Sequence, residues 1–447
     1  MRSEQRGAYS VLIDECARLR ERCEDVTHPS GLRIRLIPKP MMQTYVMLSV
    51  DFGARDTSYT YGGKRVCLPD GVAHFLEHKM FAGPDGTDAN EKFSALGAEA
   101  NAWTDYDTTA YLFSTAEDPV PPLRVLLDMV FTPYFTKESV SKEQGIIQEE
   151  ISMGEDDPWQ QLYEQSMRAT YAKHPLRKRI CGTAASISRI TPRMLYACHE
   201  AFYRPEYMCL TVCGSVSMSD LVAQVDAQMA RLPAAKTPAP IRREVEEPAK
   251  TPRRRTVRRA RVSQPLFQIT LKDTALPEQP KERLYRETAV NLISEMLFSR
   301  AAPFYGELFE QGLITPGYSY GYSSAKGAAY HALTGEARDV QAIWEQYVRV
   351  IERSRREGLS AEDFERCRRV LYASFVSQFD YPEDIADLAG DCEQNGFGVF
   401  DALDCIERVS LQELQALLEE LFLPEASVLS VLLPDSDKVK EENENVG

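Results

Sequence analysis

Histidine is scarce in this sequence, with six in 447 residues, and tryptophan scarcer still, with three. No apolar run approaches the roughly 20 residues a membrane-crossing helix needs. The ten cysteines form no CxxC pair, which points to reduced, mostly buried thiols rather than a disulfide framework. The opening MRSEQRGAYSVLIDECARLRERCED is charged throughout and has no secretory apolar core, and its acids argue against a transit peptide; the cytoplasm is the expected compartment. Positive charge is also in deficit. A formal charge of −15 argues against general nucleic-acid affinity and suits either plain solubility or an acidic cavity that attracts basic or neutral peptides.

What is present is a soluble globular composition, 43% apolar and 27% charged. The length predicts two domains of roughly 200 residues each. Residues 231–260, RLPAAKTPAPIRREVEEPAKTPRRRTVRRA, hold five prolines and ten Lys or Arg against three Glu and read as a linker. The basic run RRRTVRR inside it reads as a solvated lead-in to a strand rather than a nucleic-acid patch. The final PDSDKVKEENENVG is polar and is expected to be disordered.

Two of the six histidines fall in GVAHFLEHKMFAG, with Glu77 between them. In a helix, positions i and i+4 lie about 40° apart around the axis, so His74 and His78 share one face. Two imidazoles so placed suit one Zn²⁺, and Glu77 stays on the same side, within reach of a water at the metal. This is HxxEH, the reverse of HExxH with the same division of labour between ligands and general base. A catalytic zinc takes a third protein ligand. The helical stretch ESVSKEQGIIQEEISMGEDDP puts Glu143 and Glu150 on one face, one to bind metal and the other to orient a histidine. Glu149 and Glu155 read as solvated acids. His28, His174, His199 and His331 lack partners at ligand spacing and read as structural.

Around the motif, GLRIRLIPKP and TYVMLSVDFGARD read as strands, AEANAWTDYDTTAYLFST as two antiparallel strands joined at a turn, and MCLTVCGSV as a closing strand. The mixture predicts an α+β domain, a largely antiparallel sheet with helices on one face. The second half reads as a degenerate copy. AVNLISEMLF can be laid over GVAHFLEHKMF with Glu295 on Glu77, Leu292 on His74 and Met296 on His78. Matching Pro382 to Pro158 puts Ser374 opposite Glu150. Metal-binding residue types then occur in one half only.

HFLEH, with KFSALGAEANAWTDYDTTAYLFS, KEQGIIQEEISMGEDDPW and the stretch from His174 to Val216, resembles the M16 (pitrilysin, or inverzincin) zinc metallopeptidases. Within them it is similar to the short-chain M16B branch related to mitochondrial processing peptidase, the YmfH-like subfamily. The resemblance implies His74, His78 and Glu150 as ligands of one Zn²⁺ per chain, Glu77 as general base and Glu143 as the supporting acid. It implies that Ala100, Asn101 and Ala102 lie on an edge strand that receives substrate, which makes physical sense because an added strand is held by main-chain bonds. It implies residues 1–230 as the zinc-binding catalytic domain and 261–435 as a repeat without metal ligands, in the LuxS/MPP-like architecture. One such chain forms half of a clamshell and cleaves peptides or unfolded segments, including leader or precursor peptides, together with a second chain.

One departure bears on that partner. In FYGELFEQGLITPGYSYGY, many relatives carry an arginine and, two turns later, a tyrosine that contact substrate. Here Phe309 stands at the first position and Thr315 or Pro316 near the second, with Tyr318, Tyr320 and Tyr322 as substitutes for the tyrosine only. The expectation is a heterodimer in which a related chain lacking HxxEH supplies the Arg/Tyr pair, with a homodimer as second choice. The alternative function is a binding or assembly subunit that retains zinc without cleaving.

Overall fold

The computed structural model describes residues 2–84, 86–233 and 237–435; the polar tail at 436–447 lies outside the described residues. Among the described residues, sixteen strands form three sheets. In chain order they are β1 (Arg2–Arg6), β2 (Tyr9–Cys16), β3 (Glu21–Thr27), β4 (Arg33–Pro38), β5 (Thr44–Val50), β6 (Ser58–Tyr61), β7 (Lys64–Cys67) and β8 (Ala98–Thr104). There follow β9 (Thr109–Thr115), β10 (Met208–Gly214), β11 (Ile241–Arg242), β12 (Arg255–Ala260), β13 (Leu266–Asp273), β14 (Ser319–Ala325), β15 (Ala328–Glu336) and β16 (Val428–Pro434).

The chain forms two compact units. The first comprises Met1–Ile151, Arg179–Glu244 and Ser374–Asp401; the second comprises Ser152–Lys178, Val245–Ala373 and Ala402–Gly447. The first unit is built on an eight-stranded sheet, β1-β2-β3-β4-β10-β5-β9-β8, beside a small β11-β6-β7 sheet. The second is built on a five-stranded sheet, β12-β16-β13-β15-β14. Each sheet is antiparallel apart from one parallel pair, β4/β10 in the first and β12/β16 in the second. The five strands β4-β10-β5-β9-β8 therefore recur, in order and sense, as β12-β16-β13-β15-β14. This is the internal repeat expected from sequence, in the expected α+β class.

The main helical layer of each unit lies on one face of its sheet and encloses its main core. In the first unit that core joins Val46, Leu48 and Val50 of β5 to Phe75 and Leu76 of the HFLEH helix and to Leu123, Leu126 and Leu127. Strands β5, β10 and β13, however, are buried at every position. Strands apolar on both faces need cover on both. One further helix supplies it in each unit, taken from the other half of the sequence. Pro382–Asn395 lies over β10, β5 and β4 of the first unit, where Arg35 donates to the Ala389 carbonyl at 2.9 Å. Pro158–Thr170 lies over β13, β16 and β12 of the second, where Gln165 donates to the Val431 carbonyl at 3.2 Å. Each helix begins with proline at its first turn, where the missing N–H is no loss and the preceding helix cannot continue.

In each unit the edge strand faces acids of the helix beside it. Thr104 of β8 donates to Glu77 at 2.6 Å; on β14, Tyr320 donates to Glu295 at 2.6 Å and Ser324 to Glu287 at 3.4 Å. The helix Pro280–Phe298 is 19 residues long against nine for Val72–Met80, so two of its acids reach β14. With Glu295 set on Glu77, Leu292 and Met296 stand at the histidine positions; with Glu287 there, Leu284 and Thr288 do. On either setting the second half lacks the histidines.

Candidate metal centre

The HFLEH helix, Val72–Met80, starts at Gly71, whose φ is +93°. A Cβ there would sit 2.5 Å from the Cys181 carbonyl oxygen, and one on Gly182 would sit 2.5 Å from that of Asp70. Two glycines thus let the chain cross itself tightly and fix where the helix begins. Val72, Ala73, Phe75, Leu76 and Met80 are buried in the core. That leaves His74 and His78 side by side on the remaining face, with ring centroids 4.6 Å apart.

The opposing wall is the helix Lys137–Asp156. Its start is secured by reciprocal bonds between Thr136 and Ser139, each backbone N–H donating to the other's hydroxyl at 3.1 Å. Val140, Ile147 and Ile151 are its buried stripe. Glu143 and Glu150 each follow a stripe residue by three positions, so both acids stand beside that stripe, toward the histidines. Glu150 Oε1 lies 3.3 Å from His74 Nε2, and its Oε2 lies 3.7 Å from His78 Nε2. Glu143 Oε1 lies 3.2 Å from His78 Nδ1, and its Oε2 accepts from Lys79 at 3.4 Å. Glu149 and Glu155 are exposed.

One donor atom from each of His74, His78 and Glu150 lies within 4.8 Å of the others. Ligands at about 2.0–2.2 Å from a tetrahedral zinc stand about 3.3–3.6 Å apart, so the 3.3 and 3.7 Å separations suit that ion. Two imidazoles and one carboxylate are a donor set used by catalytic zinc sites. The residues present fit the metal. Glu143 holds the far nitrogen of His78, as carboxylates behind metal-bound histidines do, whereas His74 Nδ1 is buried without a hydrogen-bond partner among the described residues.

The electrostatics are those of an acid-rich pocket facing histidines. Burial disfavours charge on His78, but the Glu143 hydrogen bond and the charges of Glu77, Glu143 and Glu150 prevail, raising its pKa. Burial likewise pushes Glu143 up, and His78 and Lys79 pull it below the usual carboxylate range. The His74 hydrogen bond holds Glu150 low against its partial burial.

Glu77 is 7% exposed, and its Oε2 accepts a 2.6 Å hydrogen bond from the Thr104 hydroxyl. Thr104 ends β8, the last strand of its sheet, whose outer edge carries no partner strand among the described residues. Ala100, Asn101 and Ala102 lie on this strand. With Glu77, His78 and Glu143 they line a cleft of about 680 Å³. Sequence reasoning missed Lys79 and Thr104. Lys79 follows the motif directly and is buried at 4% exposed, but its acid partner is 64 positions away. Thr104 sits in the quoted strand pair, yet only the pairing register shows what it faces.

Elsewhere the remaining histidines serve the fold. His28 bonds Ser30 and Asp226, His174 contacts the Lys326 carbonyl, His199 donates to the Val130 carbonyl at 2.9 Å, and His331 is buried between Phe298 and Phe422. Phe309 is 49% exposed. The three substitute tyrosines all donate within their own unit: Tyr318 to the Phe298 carbonyl, Tyr320 to Glu295 and Tyr322 to Asp273. No helix of the described residues is long and apolar enough to cross a membrane.

Comparison with known proteins is consistent with this arrangement. Residues 43–184 match the family model for insulinase (peptidase family M16), and residues 189–371 match that for the peptidase M16 inactive domain. The chain is 33% identical over 410 residues to an uncharacterized zinc protease, YmfH, of Bacillus subtilis, covering 91% of this chain and 95% of that one. Among solved structures it is similar to a putative M16-like peptidase from Alicyclobacillus acidocaldarius, with a TM-score of 0.88, 28% identity and coverage of 96% and 100%. It shares the fold of pitrilysin at a TM-score of 0.75 and 17% identity, spanning 96% of this chain and 46% of that one. The family model, the extended match to a zinc protease and the shared fold agree, and the chain belongs to the M16 peptidase family.

Proposed function

We propose that this chain is a zinc-dependent endopeptidase acting on extended peptides or unfolded segments. His74, His78 and Glu150 would hold one Zn²⁺ per chain, Glu77 is the general base, and Glu143 orients His78. The observation that carries this reading is the approach of Glu150 to both histidines from a separate helix, with Glu77 beside them and not bonded to them. A subunit used only for assembly has no use for a buried carboxylate so placed.

When bound, the zinc supplies Lewis acidity that makes water a competent nucleophile near neutral pH. The rest falls to the protein. A peptide laid along the free edge of β8 at Ala100–Ala102 is held through its main chain, which fixes the scissile bond without demanding a side-chain sequence. Glu77 takes the proton of the attacking water and returns it to the leaving amine. Burial of Glu77 and its bond to Thr104 limit the orientations it samples.

The partner follows from the second unit. Phe309 offers no charge where many relatives carry arginine, and the hydroxyls of Tyr318, Tyr320 and Tyr322 are engaged internally. This supports a heterodimer in which a related chain brings the Arg/Tyr pair and completes the chamber. We place the protein in the cytoplasm.

The test is cleavage of a mixed library of unstructured peptides, read by mass spectrometry, with Glu77→Gln and a chelator as controls. Cleavage that is lost in both controls and restored by added Zn²⁺ supports the reading. Cleavage that survives Glu77→Gln would overturn it. A partner of similar size that co-purifies and raises turnover would identify the heterodimer.

A further inference from the structure

We propose that Thr104 is the positioning residue for the general base, which makes β8 both the strand that receives the peptide and the strand that aims the catalysis. The proposal rests on the endopeptidase reading above. Its geometry is independent of any metal.

A threonine hydroxyl has one proton to give. Thr104 Oγ1 has two oxygen neighbours, Glu77 Oε2 at 2.6 Å and Thr109 Oγ1 at 3.4 Å. Thr109 commits its own proton to the Phe52 carbonyl at 2.9 Å. The Thr104 proton therefore goes to Glu77, at the short distance typical of a hydroxyl on a carboxylate. Among the described residues no other side chain is hydrogen-bonded to Glu77. One oxygen is tied to the sheet, and Oε1 is left for proton transfer. A carboxylate free at both oxygens rotates, whereas one anchored through a single oxygen is fixed in direction and keeps both lone pairs of the other oxygen open.

The strand explains why threonine stands here. Side chains alternate along β8, so Ala98, Ala100, Ala102 and Thr104 share one face, toward the HFLEH helix. Ala98 is buried, and Ala100 and Ala102 pack against the core. Three alanines let helix and strand approach closely, and Thr104 is the one position in that row able to donate. In the second unit, where there is no metal set, hydroxyls of β14 meet helix acids too: Tyr320 donates to Glu295 at 2.6 Å and Ser324 to Glu287 at 3.4 Å. The shared fold supplies a strand-to-helix contact of this kind, and in the first unit it falls on the acid between the two histidines.

The strand thus couples two events. A peptide that pairs with the edge of β8 orders the same backbone that holds the base, so binding and base alignment share one rigid element. Only an extended segment long enough to pair along Ala100–Ala102 would gain from both.

The experiment compares Thr104→Val, which keeps shape and removes the donor, with Thr104→Ser, which keeps the donor, using zinc-loaded protein and one peptide substrate. A base misplaced by about 1 Å costs on the order of 10²-fold in kcat. That loss is expected for the valine variant, with KM and zinc stoichiometry near wild type, and serine is expected to restore most of it. Wild-type kcat in the valine variant, or serine as slow as valine, would overturn the proposal. A second readout stands apart from activity: crystal structures of wild type and Thr104→Val should show Glu77 fixed in the first and displaced in the second. If Glu77 keeps its place without the hydroxyl, Thr104 does not position it, whatever the turnover. If neither wild type nor any variant cleaves, alone or with the co-purifying partner, while Glu77 moves as expected, the positioning stands and the endopeptidase reading fails.

Discussion

The helices Val72–Met80 and Pro280–Phe298 each lie against the edge strand of the same five-strand pattern, yet only one carries the histidines. Where the first has His74, Glu77 and His78, the second has Glu287 between Leu284 and Thr288 and Glu295 between Leu292 and Met296. The acidic helix shows the same contrast. Matching Pro158 to Pro382 sets Glu143 against Cys367 and Glu150 against Ser374. Leu284, Thr288, Ala289 and Cys367 are all buried, and Thr288 turns its hydroxyl back to the Leu284 carbonyl at 2.8 Å. The fold does not need the site. Freed of ligands, the second unit fills those positions with apolar or self-satisfied side chains, as packing favours. The first unit keeps polar groups in a half-open cleft, with Glu150 nearly half exposed. Those groups disfavour compact packing, and the proposed metal site gives them a role.

The largest expected effect separates the two glutamates. Glu77→Gln should lower kcat by at least about 10³-fold with zinc retained, while Glu287→Gln should leave turnover within experimental error. Equal losses would mean that both units take part in the chemistry. Next comes transplantation. Leu284→His with Thr288→His reproduces the motif, but Cys367 and Ser374 offer no carboxylate, so zinc measured by elemental analysis should stay at one per chain. The same change buries two imidazoles without partners and should cost about 3 kcal/mol in a denaturant titration. A gain of a second zinc would show that the histidine pair alone specifies the site.

Smaller again is the effect of the support behind His78. Glu143→Gln should weaken zinc binding by about 10–100-fold, whereas Cys367→Ser should not change it; metal competition with a chromogenic chelator reads both. The smallest effect concerns a feature the units share. Each holds one buried neutral histidine, His199 with its pKa lowered to about 4 and His331 to about 3, in both cases by burial. The unfolded chain binds a proton near pH 6.5, so between that pH and the folded values the unfolded state carries more protons. Stability is therefore full above pH 6.5 and falls as pH drops, by about 1 kcal/mol per histidine at pH 5.5. His331→Phe, which matches the Phe298 and Phe422 surroundings, should reduce the slope of melting temperature against pH by about half. An unchanged slope would assign the acid sensitivity elsewhere.

How far the site was legible follows from how local each relation is. His74 and His78 were readable because i and i+4 share a helical face in any helix, whatever surrounds it. The position of Glu77 followed from the same geometry. Glu143 and Glu150 were readable as a pair on one face, and the choice of Glu150 as ligand came from resemblance. The contacts of Lys79 and Thr104 were not readable. Each depends on a strand register or a helix start fixed by residues far away, such as Gly71 against Cys181. The exchanged helices were hidden for the same reason: nothing within PWQQLYEQSMRAT says which sheet it will cover.

The sequence by itself determined the class of fold, the repeat, the HxxEH pattern and the half that carries it, because apolar periodicity and residue spacing are properties of a few neighbouring turns. Only the tertiary structure decided that Glu150 meets both histidines, that Thr104 holds Glu77 and that each sheet borrows its second cover from the other half of the chain. Those contacts join residues tens to hundreds of positions apart. Their distances are set by strand pairing and close packing of the whole core, which no local pattern encodes.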